Sequence, residues 1–388
     1  MARRNISTGI DIGSGNIRVV VAEYTEESTM PTIIGSGIAE SKGLRHGYIV
    51  NMEEATESIR EAVAQAEKSA GMKIKKAFIA IGGLSLESSV GTGSIFVSRA
   101  DNEVAEIDVK KALEASEASI AQSANKQIIH TIPISFKLDG EEVMGKPAGL
   151  KGSRLEVKTL FITCLHQHLD DFIHAVEDIG VRVEDIMASP IAAGFVTLTK
   201  RQKTAGCVLA NIGAETLSLA VFENNIPISL KVFPIGGSEI TNDIALGLKI
   251  PLEEAEETKR GSGMKIYSKK KLDDIIEARL SDIFEIIDSH LKKIGKNGLL
   301  PAGIIITGGT SAIPLIEDLA KVSLRLPSQI AQPDFAKSTN HQIVDSNWSV
   351  AYGLCIMGID NEGEEGAGIK LVRRTKGNLV SWVKQFLP

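Results

Sequence analysis

The apolar positions of "STGIDIGSGNIRVVVAEY" (7–24) alternate through Ile10 and Ile12, break at a glycine turn, and close into the run Val19–Val21. That pattern predicts strand, tight turn, strand. Two hundred residues later "CVLANIGAETLSLAVFEN" (207–224) repeats it in register: Ile12, Gly13 and Val21 coincide with Ile212, Gly213 and Val221. A long-period duplication of this kind predicts two similar lobes, not a solenoid. Between the copies, "MEEATESIREAVAQAEKSAG" (52–71) has helical periodicity, with Gly71 placed to end the helix, and "KKAFIAIGG" reads as a buried strand.

From about Leu84 to Thr163 the texture changes to short strands, Gly-rich turns and one helix over 108–124, which predicts an inserted small α+β domain. "HLDDFIHAVEDIGV" (168–181) is again amphipathic. After the second glycine turn come "GGSEITNDIALGL", a charged helical segment and a long helix around 271–294. "GIIITGGTSAIPLIEDLA" (303–320) reads as strand, glycine turn and helix. The acidic, apolar-poor "DNEGEEGAG" (360–368) predicts a flexible linker.

The last twelve residues, "GNLVSWVKQFLP", are the odd ones. On a helical wheel Leu379, Val380, Trp382, Val383, Phe386 and Leu387 cover one arc, opposite Asn378, Ser381, Lys384 and Gln385. Such a helix is roughly 18 Å long, too short to span a bilayer and long enough to lie in its interface. Lys370, Arg373, Arg374, Lys376 and Lys384 flank it with no acidic residue among them, which suits an anionic membrane surface. Docking on this chain's own core or in a partner's groove are the competing readings. The aromatic pair, the basic flank and the acidic leash favour lipid.

Composition narrows the classes. A chain of 388 residues with 43% hydrophobic positions has room for several domains. Its formal charge of -6 argues against a nucleic-acid partner, which would need a basic face. Cys164, Cys207 and Cys355 are far apart with no CxxC, so neither a disulfide framework nor a cysteine metal site is expected. The early arginines precede no apolar h-region, and no apolar run approaches 18 residues. A reducing cytoplasm is the expected compartment.

Strands that end in tight glycine turns present backbone N–H groups, and such nests hold phosphate oxygens. Three such turns occur, two of them matched. Asp11 precedes the first, where a carboxylate orients a hydrated Mg2+. The third, Gly308-Gly309-Thr310-Ser311, opens onto a predicted helix whose N-terminus favours phosphate, and its glycines let a flat base approach. No GxxxxGK[ST] and no GxGxxG within a βαβ unit are present.

On these residues the chain resembles the actin, Hsp70 and sugar-kinase superfamily. Within it, the chain resembles the bacterial cell-division FtsA family from about residue 7 to the end. "GLRHGYIVNMEEATESIREAV" is similar to that family's first helix and preceding turn, and "IIHTIPISFKLDGEEVMGKPAGLKGSRLEVKTLFIT" to its inserted subdomain. The resemblance implies ATP with Mg2+ between two lobes. Asp11, Gly13, Ser14 and Arg18 would form the first phosphate loop, Asp11 supporting the metal. Gly213 and Thr216 would sit in the second loop. Gly236, Gly237, Glu256 and Lys259 would approach ribose and adenine, with Gly308, Gly309, Thr310 and Ser311 covering the base from the other side. It further implies self-association, attachment of the tubulin-like division protein FtsZ to the cytoplasmic face of the inner membrane at the division site, and recruitment of later division proteins. Arg279 lies on the helix matching the one that meets FtsZ; a merely solvated arginine is the plainer reading.

The implied α/β architecture is a two-lobed, ribonuclease H-like actin fold. Lobe 1 covers 1–83 and 164–190, with the small subdomain (84–163) inserted in it. Lobe 2 has its nucleotide-binding core at 191–235, its upper part at 236–300, and the rest of its core at 301–359, which also returns to lobe 1. A linker (360–376) and an amphipathic helix (377–388) follow.

The sequence departs from the superfamily pattern at the second loop. Where D-I-G-G-G-T is usual, Asn211-Ile212-Gly213-Ala214-Glu215-Thr216 stands here. Asn cannot act as a base, and Ser189-Pro190 lacks the acidic or Gln residue that places water, so slow or absent hydrolysis is expected. Glu215 would repel a triphosphate unless its side chain turns away, and the plain reading is that it points to solvent. His166, His168 and His174 with Asp170 and Asp171 lack metal-ligand spacing and are read as a solvated helix face. A pilus-assembly-type actin-like protein that binds a membrane-protein peptide, and a small-molecule kinase, are the rival functions.

Overall fold

The computed structural model describes residues 5–24, 30–121, 124–261, 267–333, 343 and 345–362. The expected tail helix, and with it Leu379, Val380, Trp382, Val383, Phe386 and Leu387, lies outside the described residues.

Lobe 1 starts from the antiparallel meander β1 (Asn5–Ile12), β2 (Asn16–Tyr24) and β3 (Thr32–Glu40). A small hairpin, β4 (Leu44–Arg45) and β5 (Tyr48–Ile49), leads into α1 (Met52–Ala70). Asn51 caps α1 by accepting from the Glu54 N–H, acidic Glu53 and Glu54 complement its positive end, and Gly71 closes it at φ 67. Ala55, Ile59, Ala62, Val63 and Ala66 bury one stripe of that helix at spacings of three and four. β6 (Lys76–Ile81) then joins β1 in parallel.

The inserted subdomain follows as β7 (Glu87–Phe96), α2 (Glu106–Ala118), β8 (Lys126–Leu138), β9 (Glu141–Val143) and β10 (Arg154–Leu165). Its helix starts two residues before, and ends six residues before, the 108–124 span expected from periodicity. Val104, Ala112, Leu113, Phe136, Leu155 and Val157 give it a small core of its own. The chain returns through α3 (His166–Glu177), β11 (Arg182–Ala188), α4 (Ser189–Thr197) and α5 (Lys200–Ala205).

Lobe 2 repeats the plan: β12 (Cys207–Ile212), β13 (Leu217–Glu223), β14 (Ile226–Phe233), α6 (Gly237–Leu248), α7 (Leu252–Lys259), α8 (Lys269–Lys293), β15 (Ile304–Thr307), α9 (Ile316–Leu324) and β16 (Ser328–Ile330). α10 (Ser349–Glu362) packs back onto β1 and α4, and runs into the stretch read as a linker. The helix expected directly after the third glycine turn begins only at Ile316, because a 3-10 turn, Gly309–Ala312, intervenes.

Strand order makes the duplication explicit. Lobe 1 reads β3-β2-β1-β6-β11 and lobe 2 reads β14-β13-β12-β15-β16. In both, the first three strands are antiparallel and the last two parallel. Ile10 and Ile79 in lobe 1, and Leu219 and Ile306 in lobe 2, are fully buried, each worth about 1.5–3 kcal/mol. The lobe 2 sheet does not stop at β14. It continues into the insert through β7, with Lys231 paired to Glu87, giving nine strands in one sheet. Ser88 Oγ donates to Leu230 O and accepts from Leu230 N, both at 2.8 Å, and Glu87 pairs with Lys126 and Lys231.

Candidate functional site

The two matched turns face one another at the base of a cleft of about 760 Å³. In the first, β1 and β2 pair Asp11 with Arg18 and Ile12 with Ile17. In the second, β12 and β13 pair Asn211 with Ser218 and Ile212 with Leu217. A Cβ on Gly15 would lie 2.9 Å from the Ala214 Cβ, so the two turns approach to contact distance.

Asp11, Gly13, Ser14 and Arg18 all line the cleft, as do Gly213 and Thr216. So do Gly237, Glu256 and Lys259, and Gly308, Gly309 and Thr310 on the facing wall. Gly236 and Ser311 stand behind that surface. The Gly236 N–H donates to Glu239 Oε2 at 2.7 Å at the start of α6, and the buried Ser311 hydroxyl donates to Gly308 O at 2.7 Å. Gly308 takes φ +90 and lies so close to β12 that a Cβ there would meet Asn211 Oδ1 at 2.4 Å. Gly82, Gly83, Gly47 and Asn347 also line the cleft and were not singled out in the sequence; their positions depend on contacts between remote segments.

The cleft's charges are unevenly placed. Desolvation pushes the Asp11 carboxyl up to about 6, partly opposed by the Arg18 guanidinium beside it. Burial lowers the pKa of Arg18 in turn, against the pull of Asp11 and Asp345. Arg18 Nε finds no hydrogen-bond partner among the described residues, and its guanidinium lies 5.9 Å from the Trp348 ring centre. On the other side Lys259 Nζ is 2.6 Å from Glu256 Oε2, and donates to Thr241 Oγ1 at 2.8 Å and Gly237 O at 3.0 Å. Desolvation would raise the Glu256 carboxyl, but hydrogen bonds from Lys259 and Thr241 outweigh it and hold the pKa low.

Glu215 does turn away from the cleft, but to a partner and not to solvent. It accepts the backbone N–H of His46, in the β4–β5 turn of lobe 1, while His46 Nδ1 lies 3.2 Å from the Glu215 carbonyl oxygen. The next residue, Gly47, donates its N–H to Ser14 Oγ at 3.0 Å.

The histidine cluster is a solvated face except at His168: His174 is exposed, and Asp170 and Asp171 are partly so. His166 is exposed, but His168 is 2% exposed, shares a hydrogen bond with Ser85, and stacks on Tyr48 at 4.7 Å and edge-on to Phe172 at 4.8 Å. Desolvation lowers its pKa and keeps it neutral at pH 7. No cluster of three His, Cys, Asp or Glu residues suited to a metal occurs among the described residues. Arg279 does not line the cleft. Its Nε is 2.6 Å from Asp243 Oδ2 and its Nη2 donates to Asp243 Oδ1 at 3.1 Å, a two-point pairing that ties α8 to α6. It is held rather than freely solvated, and the Asp243 hydrogen bond raises its pKa. Among the described residues, no helix is long and apolar enough to cross a membrane.

Residues 208–353 match the family model described as Cell division protein FtsA, and residues 83–163 match the one described as SHS2 domain inserted in FTSA. The cell division protein FtsA of Bacillus subtilis strain 168 is 33% identical over 357 residues, covering 86% of this chain and 80% of that protein. That of Pseudomonas aeruginosa is 29% identical over 378 residues, covering 92% and 90%. Among solved structures, the PilM-PilN type IV pilus biogenesis complex aligns with a TM-score of 0.68 at 16% identity, over 91% of this chain and 98% of that one. MreB5 of Spiroplasma citri bound to ADP aligns with a TM-score of 0.55 at 13% identity, over 93% and 99%. At such identities the two structures speak to fold, which is the two-lobed actin-like one. The identity to the Bacillus protein over most of both chains speaks to kinship: this chain belongs to the family of the cell division protein FtsA.

Proposed function

We propose that this actin-like cell-division protein binds ATP with Mg2+ between its lobes, self-assembles, and links FtsZ to the cytoplasmic face of the inner membrane, where it recruits later division proteins. The observation that carries the nucleotide reading is the meeting of three glycine turns on one cleft. Backbone N–H groups of the two matched turns suit phosphate oxygens, and Lys259 with Glu256 suits the sugar end. Asp11 fits a hydrated divalent cation: it is a recessed carboxylate, poorly solvated and short of positive partners beyond Arg18. When bound, Mg2+ supplies charge neutralisation for the phosphates. Arg18 would add to it from the same turn.

Asn211 lines the cleft where this superfamily usually carries a carboxylate. A neutral amide draws no proton from water and brings no negative charge to a cation, so this chain would keep ATP as a clamp between lobes and turn it over slowly. Clamped lobes favour one polymerising shape. Polymers in turn multiply a weak single-tail affinity for lipid. The tail's apolar arc, Leu379, Val380, Trp382, Val383, Phe386 and Leu387, with its basic flank, supports membrane attachment. Arg279 would face FtsZ from α8, its guanidinium fixed in direction by Asp243.

Flotation with anionic liposomes and ATP tests the reading, comparing the full chain with one ending at Gly368. The full chain is expected to float and the shortened one to stay down. If neither floats, membrane attachment is wrong and a pilus-type peptide binder becomes the better reading.

A further inference from the structure

The β4–β5 hairpin touches four things that its two-residue strands give no reason to touch. Through His46 N–H it reaches Glu215 of the second turn, and through Gly47 N–H it reaches Ser14 of the first. Its tip also presses on the chain just before the insert. A Cβ on Gly47 would sit 2.4 Å from Gly83 Cα, and one on Gly83 would sit 2.8 Å from Gly47 O. Both are glycines at positive φ, +79 and +82, and no side chain fits between the backbones. Finally, Tyr48 stacks on His168 and hydrogen-bonds Ser85.

Those last contacts fall at the root of the inserted subdomain. Ser85 lies two residues before β7, where the chain enters it, and His168 lies in the first turn of α3, just after β10 brings the chain out. Ser85 and His168 are bonded to each other, so entry and exit are one buried unit with Tyr48 against it. The root has a second anchor on the opposite lobe, the Ser88–Leu230 and Glu87–Lys231 contacts to β14. One body held at two points on two lobes must turn when the lobes move relative to each other.

We infer that the 44–49 hairpin is a relay which converts occupancy of the cleft by a polyphosphate ligand into a change of orientation of the inserted subdomain. The inference rests on the nucleotide reading above. A phosphate oxygen arriving at the first turn accepts the Ser14 O–H and so reorients the hydroxyl whose oxygen receives the Gly47 N–H. Lobe closure shifts Glu215 against His46. Either event moves the hairpin tip, and Tyr48 hands that movement to Ser85 and His168. Glu215 and Tyr48 are positioning residues here; neither lines the cleft.

The test is hydrogen–deuterium exchange on the full chain with and without Mg2+ and ATP, alongside calorimetric ATP affinity, for the native sequence, Glu215→Ala and Tyr48→Leu. In the native chain, ATP is expected to slow exchange across 84–90 and 160–168 by about threefold or more. Both variants should bind ATP within about threefold of native affinity and lose most of that response. Should ATP bind while the root responds equally in all three proteins, or not at all in any, the relay is wrong and the nucleotide reading survives. Absence of ATP binding to the native chain overturns both. A Glu215→Ala chain that fails to fold leaves the decision to Tyr48→Leu, which leaves both cleft turns intact.

Discussion

The two turns that meet in the cleft share one backbone and differ in charge. At equivalent rungs the first carries Asp11 opposite Arg18, and the second Asn211 opposite Ser218. The first turn therefore places a carboxylate and a guanidinium inside a partly dry cleft, at a desolvation cost that lifts Asp11 to about 6. The second offers backbone N–H groups and neutral side chains. Its one carboxylate, Glu215, is used outside the cleft, on the hairpin of the other lobe. Duplication supplied two matching turns whose residues differ: one carries the buried charged pair, the other neutral side chains and a contact to the opposite lobe.

Swapping residues across the two turns breaks or sharpens that difference. The largest effect is expected from Asp11→Asn, which removes the carboxylate from the turn that holds it; Mg2+-dependent ATP affinity should fall on the order of 10–100-fold in calorimetry. If affinity barely moves, the charge asymmetry is irrelevant to binding. Next is Asn211→Asp, which restores a carboxylate to the second turn. Phosphate release should rise about tenfold or more if a missing base is what keeps turnover slow. An unchanged rate would place the block elsewhere, with Ser189-Pro190 the next suspect.

The smallest effect is on stability without ligand. The Asp11 carboxyl sits near 6 when folded against an ordinary 3.8, so the native state takes up its proton more readily than the unfolded chain. Its stabilising contribution is complete below about 3.8 and is lost as pH rises through about 6. In metal-free buffer, Asp11→Asn should raise Tm by about 2–4 °C at pH 8, and the gain should shrink towards pH 5. Asn211→Asp should do the reverse at pH 8. Differential scanning calorimetry of both variants at the two pH values decides it.

Much of the architecture was legible because it is local and periodic. The register of Ile12, Gly13 and Val21 on Ile212, Gly213 and Val221 needs only the order of residues, and it corresponds to the repeated strand order of the two lobes. The stripe and caps of α1 were equally plain. What was hidden is what joins remote segments. His168 carries polar chemistry in an amphipathic pattern, so only the stack with Tyr48 and the bond to Ser85 show that it is core. Glu215 and His46 are 169 residues apart, and no spacing rule connects them. Arg279 looked solvated because Asp243, its partner, lies on another helix. The third turn misled for a different reason: Gly308 and its neighbours favour a tight 3-10 turn, which postpones the helix to Ile316.

The seam between β14 and β7 bears on how such a molecule can change over evolutionary time. An insertion is ordinarily thought of as a cassette, added or removed at a loop with little consequence for its host. Here the cassette covers one flank of the host's sheet with a single backbone pairing, fastened by Ser88 and by the Glu87–Lys231 pair. Excising it would bare β14 as an open edge, the kind of surface that recruits strands from other molecules. Exchanging it for a foreign cassette is safer, but only if the newcomer brings its own counterparts of Glu87 and Ser88. Host and cassette are in that sense heritable only as a pair.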